Sequence, residues 1–281
     1  MTNLGTRVIV AVIAIPLIIA ITLLGSGYFF ALTTAIVIFS LSEFYDLASK
    51  KGIMPSKIMG LTAAGVLNGL IYSSGFTSAE IFLLLIIGTV LLNELFRRRT
   101  DKVEKAFENT GVTILGLFYI GIFGSTLTAM RERISIESLL PTYLDGGILI
   151  LMLFATIWIC DSAAYFVGKA IGQHKMSGII SPNKTWEGAI AGFIFAILST
   201  TLAKYLVMRQ LSILAATGIG IIVGVFGQAG DFVESLFKRD VGQKDSSQLI
   251  PGHGGVFDRF DSLIFSAPFV YLWLLFLSHN L

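Results

Sequence analysis

Residues 7–24 read RVIVAVIAIPLIIAITLL: one arginine, then a run from Val8 to Leu24 broken only by Pro16 and Thr22. Such a run decides the fold. A bilayer core of about 30 Å is crossed by roughly 20 apolar residues in α-helix, which satisfies every backbone polar group within the segment. A basic residue ahead of an apolar run can also mark a secretory signal peptide. Here the run is longer than a usual signal core, no A-x-A-like site follows, and another apolar run begins at Tyr28. The expectation is an uncleaved first transmembrane helix.

The rest of the chain repeats the pattern. Of 281 residues, 54% are hydrophobic and 14% charged, with a mean hydropathy of +0.81; a soluble domain carries about a quarter charged residues. Lipid is therefore the expected solvent. Apolar runs between charged or Gly/Ser/Pro-rich breaks predict spans at about 6–24, 28–47, 58–74, 79–96, 110–130, 147–168, 187–206, 211–230 and 262–279. The second ends on Glu43 and Asp46, and the third is diluted by Gly65, Asn68 and Gly69. The fold class is thus an all-α polytopic membrane protein of about nine transmembrane helices. Residues 1–145 are expected to be a scaffold with dimer contacts. Residues 146–281 are expected to be the catalytic region, with cytoplasmic loops 169–186 and 231–261. There is no internal repeat or low-complexity tract.

Nine spans put sixteen of the twenty Lys and Arg residues on one side. These include Arg7, Lys50, Lys51, Lys57, Arg97, Arg98, Arg99, Lys102 and Lys105. Only Arg131, Arg133, Lys204 and Arg209 fall on the other side. The positive-inside rule then puts the N-terminus in the cytoplasm. A net charge of +2 gives no footprint for nucleic acid, and the single cysteine, Cys160, excludes an intramolecular disulfide and a thiolate zinc cluster.

Two of the expected cytoplasmic loops stand out. One carries Ser181-Pro182-Asn183-Lys184-Thr185-Trp186-Glu187-Gly188. The other holds six of the eighteen acids: Asp231, Glu234, Asp240, Asp245, Asp258 and Asp261. It also holds Lys238, Arg239, Lys244 and Arg259, and a connector alone is usually shorter than such a loop. If the eighth span descends to Asp231 and the ninth leaves at Asp261, the two carboxylates meet at similar depth. Hard oxygens of this kind suit Mg²⁺, with Asp231, Asp261 and Asp258 as ligands and substrate phosphate completing the shell. The bland alternative is that these acids only pair with neighbouring Lys and Arg. Asp161, inside the sixth span, is costly unless it faces a polar cavity or serves a structural hydrogen bond. The glycines around His253 (Gly252, Gly254, Gly255) let backbone N–H groups approach an anion.

The stretch Ser235-x-Phe237-Lys238-Arg239-x4-Lys244-Asp245-x-Ser247-x-x-Ile250-Pro251-x-His253-Gly254-Gly255-Val256-x-Asp258-Arg259-Phe260-Asp261 resembles the signature of the phosphatidate cytidylyltransferases, or CDP-diacylglycerol synthases. Asp161-Ser162-x-Ala164-Tyr165-x-x-Gly168-x-x-x-Gly172 and the 181–188 motif are similar to the same family. The resemblance covers about a third of the chain. It implies that CTP and phosphatidic acid give CDP-diacylglycerol and pyrophosphate with Mg²⁺ required, with a second cation left open. It also implies an all-helical membrane enzyme, a homodimer supplying phospholipid synthesis. Together with the charge asymmetry, the enzyme is expected in the cell (inner) membrane with its active site facing the cytoplasm. Asp161, Lys184, Asp231, Asp258 and Asp261 are then the expected catalytic residues. Asn183, Lys184, Lys238, Arg239, Lys244, His253, Gly254, Gly255 and Arg259 are the expected substrate contacts.

Three other readings compete. An ion-coupled transporter would use Asp161, but no repeated pair of broken helices accompanies it. A CDP-alcohol phosphotransferase would need a different acidic pattern on one helix, which is absent. A CTP-dependent polyprenol kinase would release CDP instead of pyrophosphate.

Overall fold

The computed structural model describes residues 3–97, 104–134 and 142–280. Arg98, Arg99 and Lys102, which belong to the expected charge asymmetry, lie outside them. The helices are α1 (Asn3–Leu24), α2 (Ser26–Ser49), α3 (Lys57–Ser74), α4 (Ala79–Phe96), α5 (Ala106–Gly116), α6 (Phe123–Glu132), α7 (Tyr143–Ile171), α8 (Trp186–Leu206), α9 (Ile213–Ile222), α10 (Gln228–Asp240) and α11 (Phe257–Asn280). A π-helical stretch, Leu117–Ile122, joins α5 to α6, and another, Val223–Gly227, joins α9 to α10.

Among the described residues, eight helical segments are long and apolar enough to cross a membrane, counting 106–132 and 213–240 as continuous. The segment expected at 58–74 is the helix α3, but it is less apolar than the eight. Its Asn68 is fully buried and its side-chain NH₂ donates to Thr34 Oγ1 at 2.8 Å, so the donor that dilutes the run is engaged inside the protein. Outward faces are apolar: Leu84 is 74% and Val12 65% exposed, surface that only lipid would cover without penalty.

Helix ends follow local rules. Thr142 and Asp145 form a capping box at α7, Thr185 accepts from the Gly188 amide at α8, and Ser212 accepts from the Ala215 amide at α9. Glycines set the closeness of α7 and α8. A Cβ on Gly188 would meet the Ala164 carbonyl at 2.5 Å, and one on Gly192 the Cys160 carbonyl at 2.9 Å. α11 packs against α2, α6, α9 and α10 and is the central strut. It joins two apolar cores, one around Leu153, Ile219 and Leu274, the other around Tyr45, Tyr119 and Phe257.

Two expectations are corrected here. The loop expected at 231–261 is shorter, because α10 continues to Asp240 and α11 already starts at Phe257. Asp231 and Asp261, expected at adjacent helix ends, therefore lie a turn inside α10 and α11. The loop expected at 169–186 contains a two-stranded antiparallel hairpin, β1 (Lys175–Ser177) with β2 (Ser181–Thr185). The contacts gather Arg7, Lys51, Arg97, Lys105, Lys184 and Lys238 at one end of the bundle, with the hairpin and the 241–256 loop.

Candidate active site

The widened turn at Val223–Gly227 frees a main-chain carbonyl, and Gln228 takes it up. Its amide donates to Gly224 O at 2.6 Å and to Ala189 O on α8 at 3.1 Å. α10 starts there, with Asp231 and Glu234 three apart on one face. Gly230 lets α11 come close: a Cβ would meet Phe265 Cβ at 2.6 Å and Asp261 O at 2.9 Å. Asp231, Glu234 and Asp261 consequently each offer a carboxylate oxygen within 4.8 Å of the others. Glu234 is 1% and Asp261 7% exposed, a costly arrangement for anions unless positive charge offsets it.

Two lysines offset part of it. Lys184 Nζ lies 2.7 Å from Asp231 Oδ2 and 4.2 Å above the Phe232 ring. Lys238 Nζ bridges Glu234 Oε2 at 2.6 Å and Asp258 Oδ1 at 2.7 Å. Acid–base pairing, the bland alternative, is thus present for Asp231, Glu234 and Asp258. Among the described residues, however, Asp261 has no ion-pair partner, and Asp161 has neither an ion pair nor a hydrogen bond.

Asp258 differs from the expected ligand. Besides Lys238 it accepts from the Ser246 amide at 2.9 Å and the Gly255 amide at 2.7 Å, so it is bound up in the loop while Glu234 completes the carboxylate cluster. Three amides of the expected anion cradle are likewise engaged. Gly255 N–H serves Asp258, and Gly254 N–H and His253 N–H both donate to Ile250 O. Gly254, at φ +89°, is required for the close approach of Asp258, whose Oδ2 would lie 2.9 Å from a Cβ. His253 Nδ1 is buried without a hydrogen-bond partner. Arg239 ties the helix end to the hairpin through Ile180 O at 3.3 Å and to Gln243 O at 3.0 Å. Lys244 is exposed on the loop.

Two cavities meet at this cluster. The smaller, about 340 Å³, is lined by Asp161, Asp231, Glu234, Asp245, Asp258 and Asp261, with Lys238 and Arg259 as its cations. The larger, about 750 Å³, opens under the hairpin between Lys169, Lys175, Asn183 and Lys184 and shares Asp161 and Asp231 with the first. An apolar groove of about 520 Å³ on α7 and α8, lined by Ile159, Phe166 and Phe195, reaches the smaller cavity at Trp158. Gly168 and Gly172, small residues beside Asp161, make room for Thr185: a Cβ on either would crowd its hydroxyl.

Two residues escaped sequence reasoning. Glu234 was visible only as one acid of six, and its place beside Asp231 needed the helix to continue through it. Glu43 ends an apolar run and looks like a span boundary, yet it is 5% exposed and accepts four hydrogen bonds from residues 246–257.

Residues 5–277 match the family model described as the cytidylyltransferase family. A Synechocystis protein named phosphatidate cytidylyltransferase is 30% identical over 96% of both chains. One of the same name from Staphylococcus haemolyticus is 32% identical over 96% of this chain and 98% of its own. The Staphylococcus aureus protein of that name is 42% identical over 47% of this chain and 50% of its own.

Proposed function

The chain belongs to the cytidylyltransferase family, and on that premise we propose that these cavities serve a CTP:phosphatidate cytidylyltransferase. CTP and phosphatidic acid give CDP-diacylglycerol and pyrophosphate. A phosphate oxygen of phosphatidate attacks the α-phosphorus of CTP and forms the new P–O bond. The α–β P–O bond breaks, and its electron pair leaves with pyrophosphate. The nucleophile already carries about −1.5 to −2 charge at neutral pH and needs little general-base help. What it needs is charge neutralisation and in-line alignment.

One observation carries this reading: a buried acidic cluster and cations where two polar cavities meet, with an apolar groove entering beside them at Trp158. A nucleotide and a phospholipid together need that combination. Lys184, Lys238 and Arg259 neutralise phosphate oxygens, Asn183 and Lys175 line the wider cavity for the nucleotide, and acyl chains lie along the groove.

The donor set fits Mg²⁺: three hard carboxylates share one spot, and around the smaller cavity six acids face two cations. Asp231, Glu234 and Asp261 would hold the ion, which when bound supplies charge neutralisation for the triphosphate. The enzyme works as a homodimer in the inner membrane, and the end rich in Lys and Arg faces the cytoplasm.

The purified protein is offered each nucleoside triphosphate with phosphatidic acid and Mg²⁺. CTP alone is expected to yield equal amounts of pyrophosphate and nucleotide-linked lipid; CDP release without pyrophosphate would make it a kinase. For orientation, Gln248→Cys in a Cys160→Ala background should react with an impermeant thiol reagent in inverted vesicles and not in intact cells.

A further inference from the structure

We propose that Glu43, remote in sequence from every motif, is a positioning residue of the active site. Its carboxylate holds the 241–256 loop and the start of α11 so that Asp258, Lys238 and Arg259 face the smaller cavity. The role rests on the cytidylyltransferase reading above.

Each Glu43 oxygen accepts two hydrogen bonds. Oε1 receives Ser247 Oγ at 2.6 Å and the Val256 amide at 3.0 Å; Oε2 receives Ser246 Oγ at 2.9 Å and the Phe257 amide at 2.8 Å. The two amides belong to the beginning of α11, where backbone donors lack intrahelical partners and negative charge is favoured. α2 thus supplies, from 213 residues away in sequence, the cap that this helix does not find locally. Gly255 makes the approach possible, because a Cβ there would collide with Ser246 Oγ and Glu43 Oε2.

From Glu43 the contacts lead into the site. Ser246 Oγ is also 2.9 Å from Asp258 Oδ2, so one hydroxyl proton serves two carboxylates in turn. Asp258 holds Lys238, and Lys238 holds Glu234 of the carboxylate cluster. Two further ties join the same halves of the chain. Arg7 Nε donates to Gly252 O at 2.8 Å, and Lys51 Nζ pairs with Asp240 Oδ1 at 2.6 Å. Neither is buried like Glu43, and neither reaches Asp258.

The test uses the full-length chain in lipid–detergent micelles. Glu43→Gln keeps the shape but turns an acceptor into an NH₂ group facing donors. Because Lys238 and Arg259 line the smaller cavity, which the groove enters at Trp158, kcat should fall about tenfold and KM for phosphatidate rise at least about fivefold, with KM for CTP, seated in the wider cavity, within about twofold. Glu43→Gln together with Ser246→Ala should be little worse than Glu43→Gln alone. If Glu43 only held the fold, kcat would fall with the folded fraction and both KM values would stay; that result overturns the proposal, as do multiplicative losses in the double variant. Should Glu43→Gln not accumulate, Ser246→Ala and Ser247→Ala carry the same split at about threefold. Val256 and Phe257 amides should exchange faster with solvent deuterium in the variant. Unchanged exchange sinks the role of Glu43 whatever the activity, whereas a wild-type protein inert toward CTP and phosphatidate sinks the functional reading itself.

Discussion

The two ends of the bundle both bury charge, and they treat it differently. At the end away from the hairpin, Arg131 is 2% exposed. It donates to Thr22 O, Leu23 O and Tyr143 O and stacks 4.2 Å from the Tyr143 ring. Glu132 beside it accepts from the Ser26 amide and the Tyr143 hydroxyl, and Asp145 accepts from Thr142 and Gln210. Every one of these groups has its partner within the chain. At the hairpin end, six acids line a cavity with two cations, and Asp161 and Asp231 open onto a second cavity. Satisfied charge marks a structural joint; surplus charge beside space marks a place for a ligand.

That contrast can be broken most directly at the surplus. Asp231→Asn and Asp261→Asn should each lower turnover by at least ~100-fold, as expected for losing a principal electrostatic element. If both act on one ion, the double variant should be little worse than the worse single one, and multiplicative losses would separate them. The thermal unfolding temperature of Asp261→Asn without substrate should not fall, since neutralising an acid without an ion-pair partner in a crowded anionic cluster relieves repulsion.

Glu234→Gln sharpens the same contrast. As the buried third member of the cluster it should cost about 10- to 100-fold in turnover and raise the Mg²⁺ concentration needed for half-maximal rate. Near-wild-type Mg²⁺ dependence would return Glu234 to the role of a partner for Lys238. Lys184→Ala comes next, with about tenfold or greater loss in kcat/KM while the protein still folds and inserts. Full turnover in that variant would leave the lysine a topology determinant.

Arg131→Met tests the satisfied end and should affect catalysis least. Removing one partner of a buried charged network is expected to cost roughly 3–5 kcal/mol of stability, visible as a lowered melting temperature. Turnover per folded molecule should remain at the wild-type level. A specific loss of kcat there would show that the two ends are coupled and that the distinction between joint and site is too simple.

Membrane residence was determined by the sequence alone. Apolar runs of about twenty residues leave helix as the only way to satisfy the backbone in lipid, so the places of α1, α2, α4, α7 and α8 are legible from composition and charge breaks, although α7 extends several residues past its expected ends. The 181–188 and 235–261 motifs likewise pointed to the candidate site, since acids, lysines and glycines crowd there against an apolar background. The extents of α10 and α11 were not legible, because polar residues at a membrane surface read equally as loop or as amphipathic helix. Tertiary contact decided the rest. Gly230 had to bring two helices together before Glu234 could join Asp231 and Asp261, and Asp258 was drawn off by the Ser246 and Gly255 amides. Glu43 could find its four donors only once α2 lay against the start of α11. Hydropathy is a property of consecutive residues and can be read along the chain; a carboxylate's partners depend on distances across it, and only the packed helices set those.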